Sequence, residues 1–580
     1  VKPAFTANFA RAIFQNENCC NGTHYREYSD LIHKVNAANY NKSPKFAKIR
    51  GADSLSMPTQ YDAIIIGAGV NGAGIARDAA LRGLRVLLLD KGDLGSGTSA
   101  WSTRLIHGGL RYLEYGELGL VRESLREREI LLRIAPHLVR PLPMMVPLYA
   151  EPNCRPKWMI RAGMLLYDAL SYDKSLPRHH FWPPAETLRH APGLRSEKLT
   201  GAACYYDAQV EFPERLVVEN ALDARAHGAD VRTYARVERL IVENGAARGV
   251  EFTDQDGDHT ALAPVVLNVA GPWVDAVLNK PSTLLPPPSS LIGGTKGSHV
   301  VVRPFDGQPR EALYAEASSD RRPFFVLPWN DLCLIGTTDL PFTGDLDNLT
   351  ATEGEIAYLL DETNRLFPDA RLNRESVLYT YTGVRPLPYV AAGRPAGITR
   401  RHFIHDHAPA ARGLLSIVGG KLTTYRSLAA EATDAIFRLL RRPAPRCATG
   451  KTPLPGASEE GEKGRKGERK RLARVYGAGA REVLALARED AALAEVFDET
   501  TGALAAEIVY AVHREAAQTL ADILLRRTMV GLAAHAGLGP DEAAARVGQQ
   551  HLGWTNERAA QEVADYRNYI ARFHPRPKMA

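Results

Sequence analysis

Gly67, Gly69 and Gly72 stand at G-x-G-x-x-G spacing, and an acid, Asp90, follows at about the distance at which a ribose would lie. Residues of these types can hold a dinucleotide. Gly67 permits the tight turn from strand into helix, Gly69 lets a pyrophosphate approach the main chain, and Gly72 lets helix and strand pack closely. The helix start turns its positive end toward the phosphates, and the Asp90 carboxylate can accept from ribose hydroxyls. Further along, Thr98, Ser99 and Ser102 offer small hydroxyls to a phosphate or a cofactor ring, while Gly108 and Gly109 let the backbone come close. Gly419 and Gly420 end an apolar run and open a helix, which again presents N–H groups to an anion.

The glycine spacing alone is a weak signal; its context makes it specific. An apolar strand is expected over Ala63 to Ile66, a helix after Gly69, and a second apolar strand over Val86 to Leu89. Met57 lies just before this unit. Residues 1–56 are rich in Asn and Lys and show no sustained period, so they read as a non-native or disordered extension, with Met57 as the natural start. The 580 residues, 45% hydrophobic and with net charge +6, suffice for two or three domains and are too weakly basic to indicate nucleic acid. The six cysteines show no ligand spacing, which points to a reducing compartment and no metal site. Asp254, Asp256 and Asp258 imitate the start of a calcium loop, but Val265 stands where the bidentate Glu belongs. No apolar run is long enough to span a bilayer.

Helical spacing is expected over Leu118 to Ala135, and Trp158 to Leu170 reads as a core helix, with a helix lying on lipid as the alternative. Strand signals dominate from Cys204 to Gly344. Three Gly-closed apolar runs, ending near Gly271, Gly336 and Gly419, are expected to return to the nucleotide domain. Ser458 to Arg471 is charged and Gly-punctuated, as a solvated linker is. Beyond it, Ile508, Val512, Ala516, Leu520 and Leu524 recur at four-residue intervals, a helical stripe for core packing or, second, a homodimer contact.

The motifs GAGVNGAGIARDAALRG, TSAWSTRLIHGGLRYLE, RPKWMIRAG, NVAGPWV, KGSHVVV, PFFVLPW with IGTTD, TYTGVRP and SIVGGKLTTYR occur in this order, and in this the chain resembles the FAD-dependent, respiratory glycerol-3-phosphate dehydrogenases from Tyr61 to its end. The resemblance implies an α/β fold: a Rossmann-like FAD domain of glutathione-reductase type, a D-amino-acid-oxidase-like mixed-sheet substrate domain and an α-helical C-terminal domain. In this chain the FAD segments would be about 57–140, 205–275, 330–345 and 412–440, and the substrate cap mainly 141–204 and 276–411. A linker over 446–471 and a helical domain over 472–580 would follow.

FAD would be bound non-covalently, with Asn71, Lys91, His107, Val237, Gly336, Gly420, Lys421, Leu422 and Thr423 joining the glycines, Asp90 and the hydroxyl residues around it. The substrate, glycerol 3-phosphate, needs fixed cations for its phosphate and a proton acceptor for its alcohol. Arg111, Arg385 and Arg400 fall in matching motifs and suit a phosphate clamp, although Arg401 competes with Arg400 for the inward position. His299 is the candidate base, His107 its rival, Lys421 a cation for the flavin N1/C2=O edge, and Tyr112 a pocket wall. Two departures from the family are Asp90 in place of its frequent Glu and the Pro-rich insert 281–291.

The resulting expectation is oxidation of sn-glycerol 3-phosphate to dihydroxyacetone phosphate, with electrons passed to a membrane quinone by a peripheral protein on the cytoplasmic face of the inner membrane. An oxidase using oxygen is the nearer alternative, and a non-catalytic FAD-bound sensor of glycerol phosphate the more distant one.

Overall fold

The computed structural model describes residues 59–151, 155–279, 290–390, 398–457 and 468–573. The leader, Cys154, residues 281–289 of the Pro-rich insert and most of the charged linker lie outside the described residues.

Ala63–Ile66 is buried along its whole length, as a central parallel strand must be. It lies inside a six-stranded sheet whose order is 403–406, 414–418, 265–268, 63–66, 86–89 and 230–232. Alternation along the strand explains the layers on either side. Ala63 and Ile65 face helices Val70–Leu81, Pro213–Ala226 and Tyr425–Leu439, whereas Ile64 and Ile66 face Val237, Val250 and Phe252 of a four-stranded sheet. Val265–Asn268 returns to this sheet beside Ala63–Ile66 and Leu414–Val418 beside Val265–Asn268, as the runs toward Gly271 and Gly419 predict.

The run ending at Gly336 goes elsewhere. Leu332–Gly336 pairs with Thr295–Val302 and Pro323–Trp329 in a ten-stranded mixed sheet and so does not return to the six-stranded sheet of the glycine turn. Apolar periodicity specifies a buried strand but carries no record of which sheet receives it. The long strands Val139–Tyr149 and Leu199–Val210 also belong to the ten-stranded sheet.

The C-terminal region is helical apart from one two-stranded hairpin. The expected stripe from Ile508 to Leu524 does not lie on one helix: Ala505–Glu515 ends where Ala516 adopts φ +56°, and Thr519 caps a new start. A π-turn over Ile523–Arg527 follows, which puts Arg526 and Arg527 side by side on the inner face. Both reach the loop after Asp90 and close on the fully buried Asp93, at 2.5 Å from Arg526 Nε and at 2.9 and 2.8 Å from the Arg527 guanidinium. Tyr234, whose N–H donates to Gly92 O at 3.0 Å, also donates its hydroxyl to Asp522 at 2.6 Å. The helical region is thus pinned to the stretch of chain next to Asp90.

Helix Lys157–Leu170 is divided between the two expectations for it. Ile160, Met164 and Tyr167 are core, while Trp158 is 70% and Leu165 63% exposed, with Met159, Leu166 and the following Tyr172 also outward. Tyr167 ties the helix inward, accepting from Gly108 N at 2.9 Å and donating to Asp207 at 2.8 Å. Among the described residues no helix is long and apolar enough to cross a membrane.

Candidate active site

A cavity of about 1050 Å³ runs from the glycine turn to the ten-stranded sheet. At its nucleotide end Gly67 has φ +107°, and a Cβ on Gly72 would lie 1.8 Å from Gly67 O, so the turn leaves no room for a side chain there. Ser99 Oγ accepts from Val70 N at 2.9 Å, capping the helix with a hydroxyl where the sequence expects an anion to be met. Asp90 accepts from Ala68 N at 2.6 Å and Gly92 N at 2.8 Å, which fixes the carboxylate beside the turn. Lys91 pairs with Asp347 and lies 4.5 Å over the Trp273 ring.

Thr98 donates to Val384 O at 2.7 Å and Ser102 Oγ accepts from Arg104 N at 3.2 Å, so both hydroxyls hold the loop as well as lining the cavity. His107 N donates to Thr423 Oγ1 at 3.1 Å, joining two segments more than 300 positions apart in the chain. Asn71, Gly69, Gly109, Val237, Gly271, Gly420 and Leu422 are all on the cavity wall. Gly72, Gly108 and Gly336 are not. Gly108 is packed under Tyr167, and a Cβ on Gly336 would stand 2.2 Å from His299 Cδ2, so Gly336 makes room for the imidazole ring.

His299 is 1% exposed at the middle of Thr295–Val302, opposite Gly336 on one side and Tyr381 on the other. Its ring stacks on Tyr381 at 4.7 Å, and its Nε2 is 2.9 Å from Thr103 Oγ1. Nδ1 has no partner among the described residues. Burial first, then the charges of Arg385 and Arg104, push its pKa well below 6.5, so the ring is neutral at pH 7. His107 is likewise neutral, lowered to about 3 by burial and then by Lys421 and Arg111.

Arg385 ends its strand directly opposite Thr295, and its guanidinium lies where a side chain on Gly297 would be. It donates to Asp339 Oδ1 and Thr337 Oγ1, both at 3.1 Å, and burial lowers its pKa to about 10. Arg400 reaches Asp339 Oδ2 at 3.1 Å and is buried, whereas Arg401 is exposed, which settles which of the pair points inward. Arg322, which the sequence does not single out, is a third guanidinium on the same carboxylate. Its only sequence signal is its place just before PFFVLPW.

Lys421 Nζ lies 4.0 Å over the Tyr112 ring and 3.2 Å from Ser124 Oγ. Burial lowers its pKa to about 7. Arg111 sits on the same short helical turn as Tyr112, Leu110–Tyr115, and lines the cavity with it. The predicted basic residues and both histidines therefore share one cavity with the dinucleotide turn. Five residues that line it carry a buried polar atom without a partner among the described residues: Asn71 Oδ1, Arg104 Nε, His299 Nδ1, Arg400 Nη1 and Arg526 Nη1. Such atoms are costly unless a ligand satisfies them, and their distribution suits a long dinucleotide at one end and a polar, anionic substrate at the other. No group of three or more potential metal ligands occurs among the described residues.

Residues 62–426 match the family model for FAD dependent oxidoreductase, and 447–559 match that for the C-terminal domain of alpha-glycerophosphate oxidase. The chain is 43% identical over 536 residues to a glycerol-3-phosphate dehydrogenase of Synechocystis, which covers 88% of this chain and 96% of the relative. It is 37% identical to the aerobic glycerol-3-phosphate dehydrogenase of Escherichia coli, over 86% of this chain and 98% of that one. A crystal structure of the Bacillus halodurans glycerol-3-phosphate dehydrogenase, complexed with FAD, superposes with a TM-score of 0.70 at 28% identity, covering 89% of this chain and 95% of the other. With this cavity, this fold and these matches, the chain belongs to the glycerol-3-phosphate dehydrogenase family of FAD-dependent oxidoreductases.

Proposed function

We propose that the protein oxidises sn-glycerol 3-phosphate at C2 to dihydroxyacetone phosphate and passes the electrons to a membrane quinone. The observation that carries this reading is the cluster of arginines, one with an unpartnered buried N–H, in the same cavity as a neutral buried histidine. FAD, when bound along the glycine turn and Asp90, would supply a two-electron acceptor for the hydride that leaves C2. Arg385 and Arg400, with Arg111 of the same cavity, hold the phosphate and so fix C2 in place. His299 takes the hydroxyl proton at Nδ1, leaving a ketone. In the tautomer with its proton on Nε2, Thr103 accepts that N–H and Nδ1 presents its lone pair. Lys421 would place positive charge beside the cofactor ring, where reduction would develop negative charge.

Two outcomes are expected in stopped-flow mixing. Anaerobic glycerol 3-phosphate bleaches the flavin; no bleaching would leave only a binding or sensing role. The reduced protein is then reoxidised faster by a short-chain quinone than by oxygen, and the reverse order would make it an oxidase, the reading favoured by the C-terminal family match.

The outward apolar side chains of Lys157–Leu170, together with Tyr115 and Leu118, support docking on a lipid surface, which on this reading is the cytoplasmic face of the inner membrane. Replacing Trp158 and Leu165 by Glu is expected to abolish cosedimentation with anionic vesicles while leaving dye-linked activity intact. Retained cosedimentation would place the contact elsewhere.

A further inference from the structure

Asp339 is 7% exposed and faces three guanidiniums that arrive from separate segments. Arg322 comes from the start of Pro323–Trp329, Arg385 from the end of Val377–Arg385, and Arg400 from the chain before Phe403–Asp406. All three donate to its carboxylate, and Arg322 also to its main-chain oxygen. Such cations repel one another, and an anion between them offsets that repulsion. Burial alone would raise the Asp339 pKa, but Arg385, Arg400 and Arg322 together hold it below the usual carboxylate range.

The carboxylate does not use up the cluster. Three positive charges against one negative leave a surplus that matches a phosphate dianion, and Arg400 Nη1 remains buried without a partner among the described residues. Thr337 and the Thr338 carbonyl fix the second nitrogen of Arg385 at 3.1 and 3.2 Å, so the fork is already oriented before any ligand arrives. A carboxylate that merely occupied the phosphate position would have no reason to leave donors over.

We propose that Asp339 is the positioning residue of the phosphate subsite, gathering Arg322, Arg385 and Arg400 into a preformed clamp of which Arg322 is the third arm. This rests on the reading that the cluster binds the substrate's phosphate. Pre-alignment is what it contributes: without it, substrate binding must itself collect three long, mutually repelling side chains.

The test uses the purified FAD-loaded protein and inorganic phosphate as a competitive probe. Asp339→Asn is expected to raise both KM for glycerol 3-phosphate and Ki for phosphate, each by about tenfold or more, the scale of a lost charged hydrogen bond. kcat at saturation should stay within about threefold, since the contact is not made at the reacting carbon. Arg322→Gln should shift both constants in the same direction with Asp339 intact, and it decides the matter alone if the Asp339 variant does not fold. Unchanged or lower KM and Ki in these variants would overturn the proposal, because the carboxylate would then be a competitor. Arg385→Lys separates the two levels. If it leaves both constants unchanged, the phosphate reading itself fails; if it raises them while the other two variants do not, only the role of Asp339 is lost.

Discussion

Lys421→Met is expected to lower kcat by about 100- to 1,000-fold, the range for removing one preorganised charge from beside a developing anion. The side chain is placed for this by the turn after Gly420, which aims it across the Tyr112 ring, and by Ser124, a neutral hydrogen-bond partner. Its pKa is lowered to about 7, chiefly by burial, which Glu117 and Glu123 oppose and Arg400 and Arg111 reinforce. The sign of the pH effect follows. The amine is charged below about 7 and neutral above, so its contribution to kcat/KM declines as pH rises through that value. Lys421→Arg, which cannot lose its proton in this range, should move that decline to higher pH while retaining a charge. A kcat for the Met variant within a few-fold of the parent, or an Arg variant with the parent's pH profile, would rule out an electrostatic role for this lysine.

Asp93→Asn is expected to cost about 3–5 kcal/mol of stability, the usual result of removing one partner from a buried ion pair. Asp93, Arg526 and Arg527 are all buried, and the two arginines would be left facing an amide that cannot balance their charge. Burial by itself would raise the Asp93 pKa, but Arg527 and Arg526 hold it below the ordinary carboxylate value. A depressed folded pKa means the stabilisation is complete above the unfolded value and disappears only as acid reaches the lower one. Because Asp93 lies three residues after Asp90, the damage should appear first as loss of FAD. Flavin fluorescence, followed during heating, should rise at a lower temperature than in the parent. A release temperature equal to the parent's would show that the helical region does not brace the cofactor loop.

What could be read before the fold was known divides along a physical line. The glycine turn at Gly67, Gly69 and Gly72 is local: strand, turn and helix lie within thirty residues, and each glycine has a steric reason visible in its spacing. Arg385 and His299 were legible through motifs, and the geometry puts them in register across neighbouring strands. Arg322 and Asp339 were not, because their meaning depends on segments that meet only after the ten-stranded sheet has formed. The neighbour of Gly336 is hidden for the same reason. It is His299, across the strand pair, and no local pattern reports cross-strand neighbours. The four-residue stripe after Ile508 misled differently. Alanine favours helix interiors, yet Ala516 takes the left-handed conformation that ends one.

The closure of Arg526 and Arg527 on Asp93 also constrains how this architecture can have changed over time. A relative that discarded the helical region while keeping Asp93 would expose or strand a lone negative charge beside its nucleotide, and one that acquired the region without the acid would bury two cations unopposed. Neither intermediate is neutral. The residue types at positions 93, 526 and 527 should therefore vary together across descendants of a common ancestor, so that the junction between the two modules leaves its trace as correlated substitutions and not as a conserved linker.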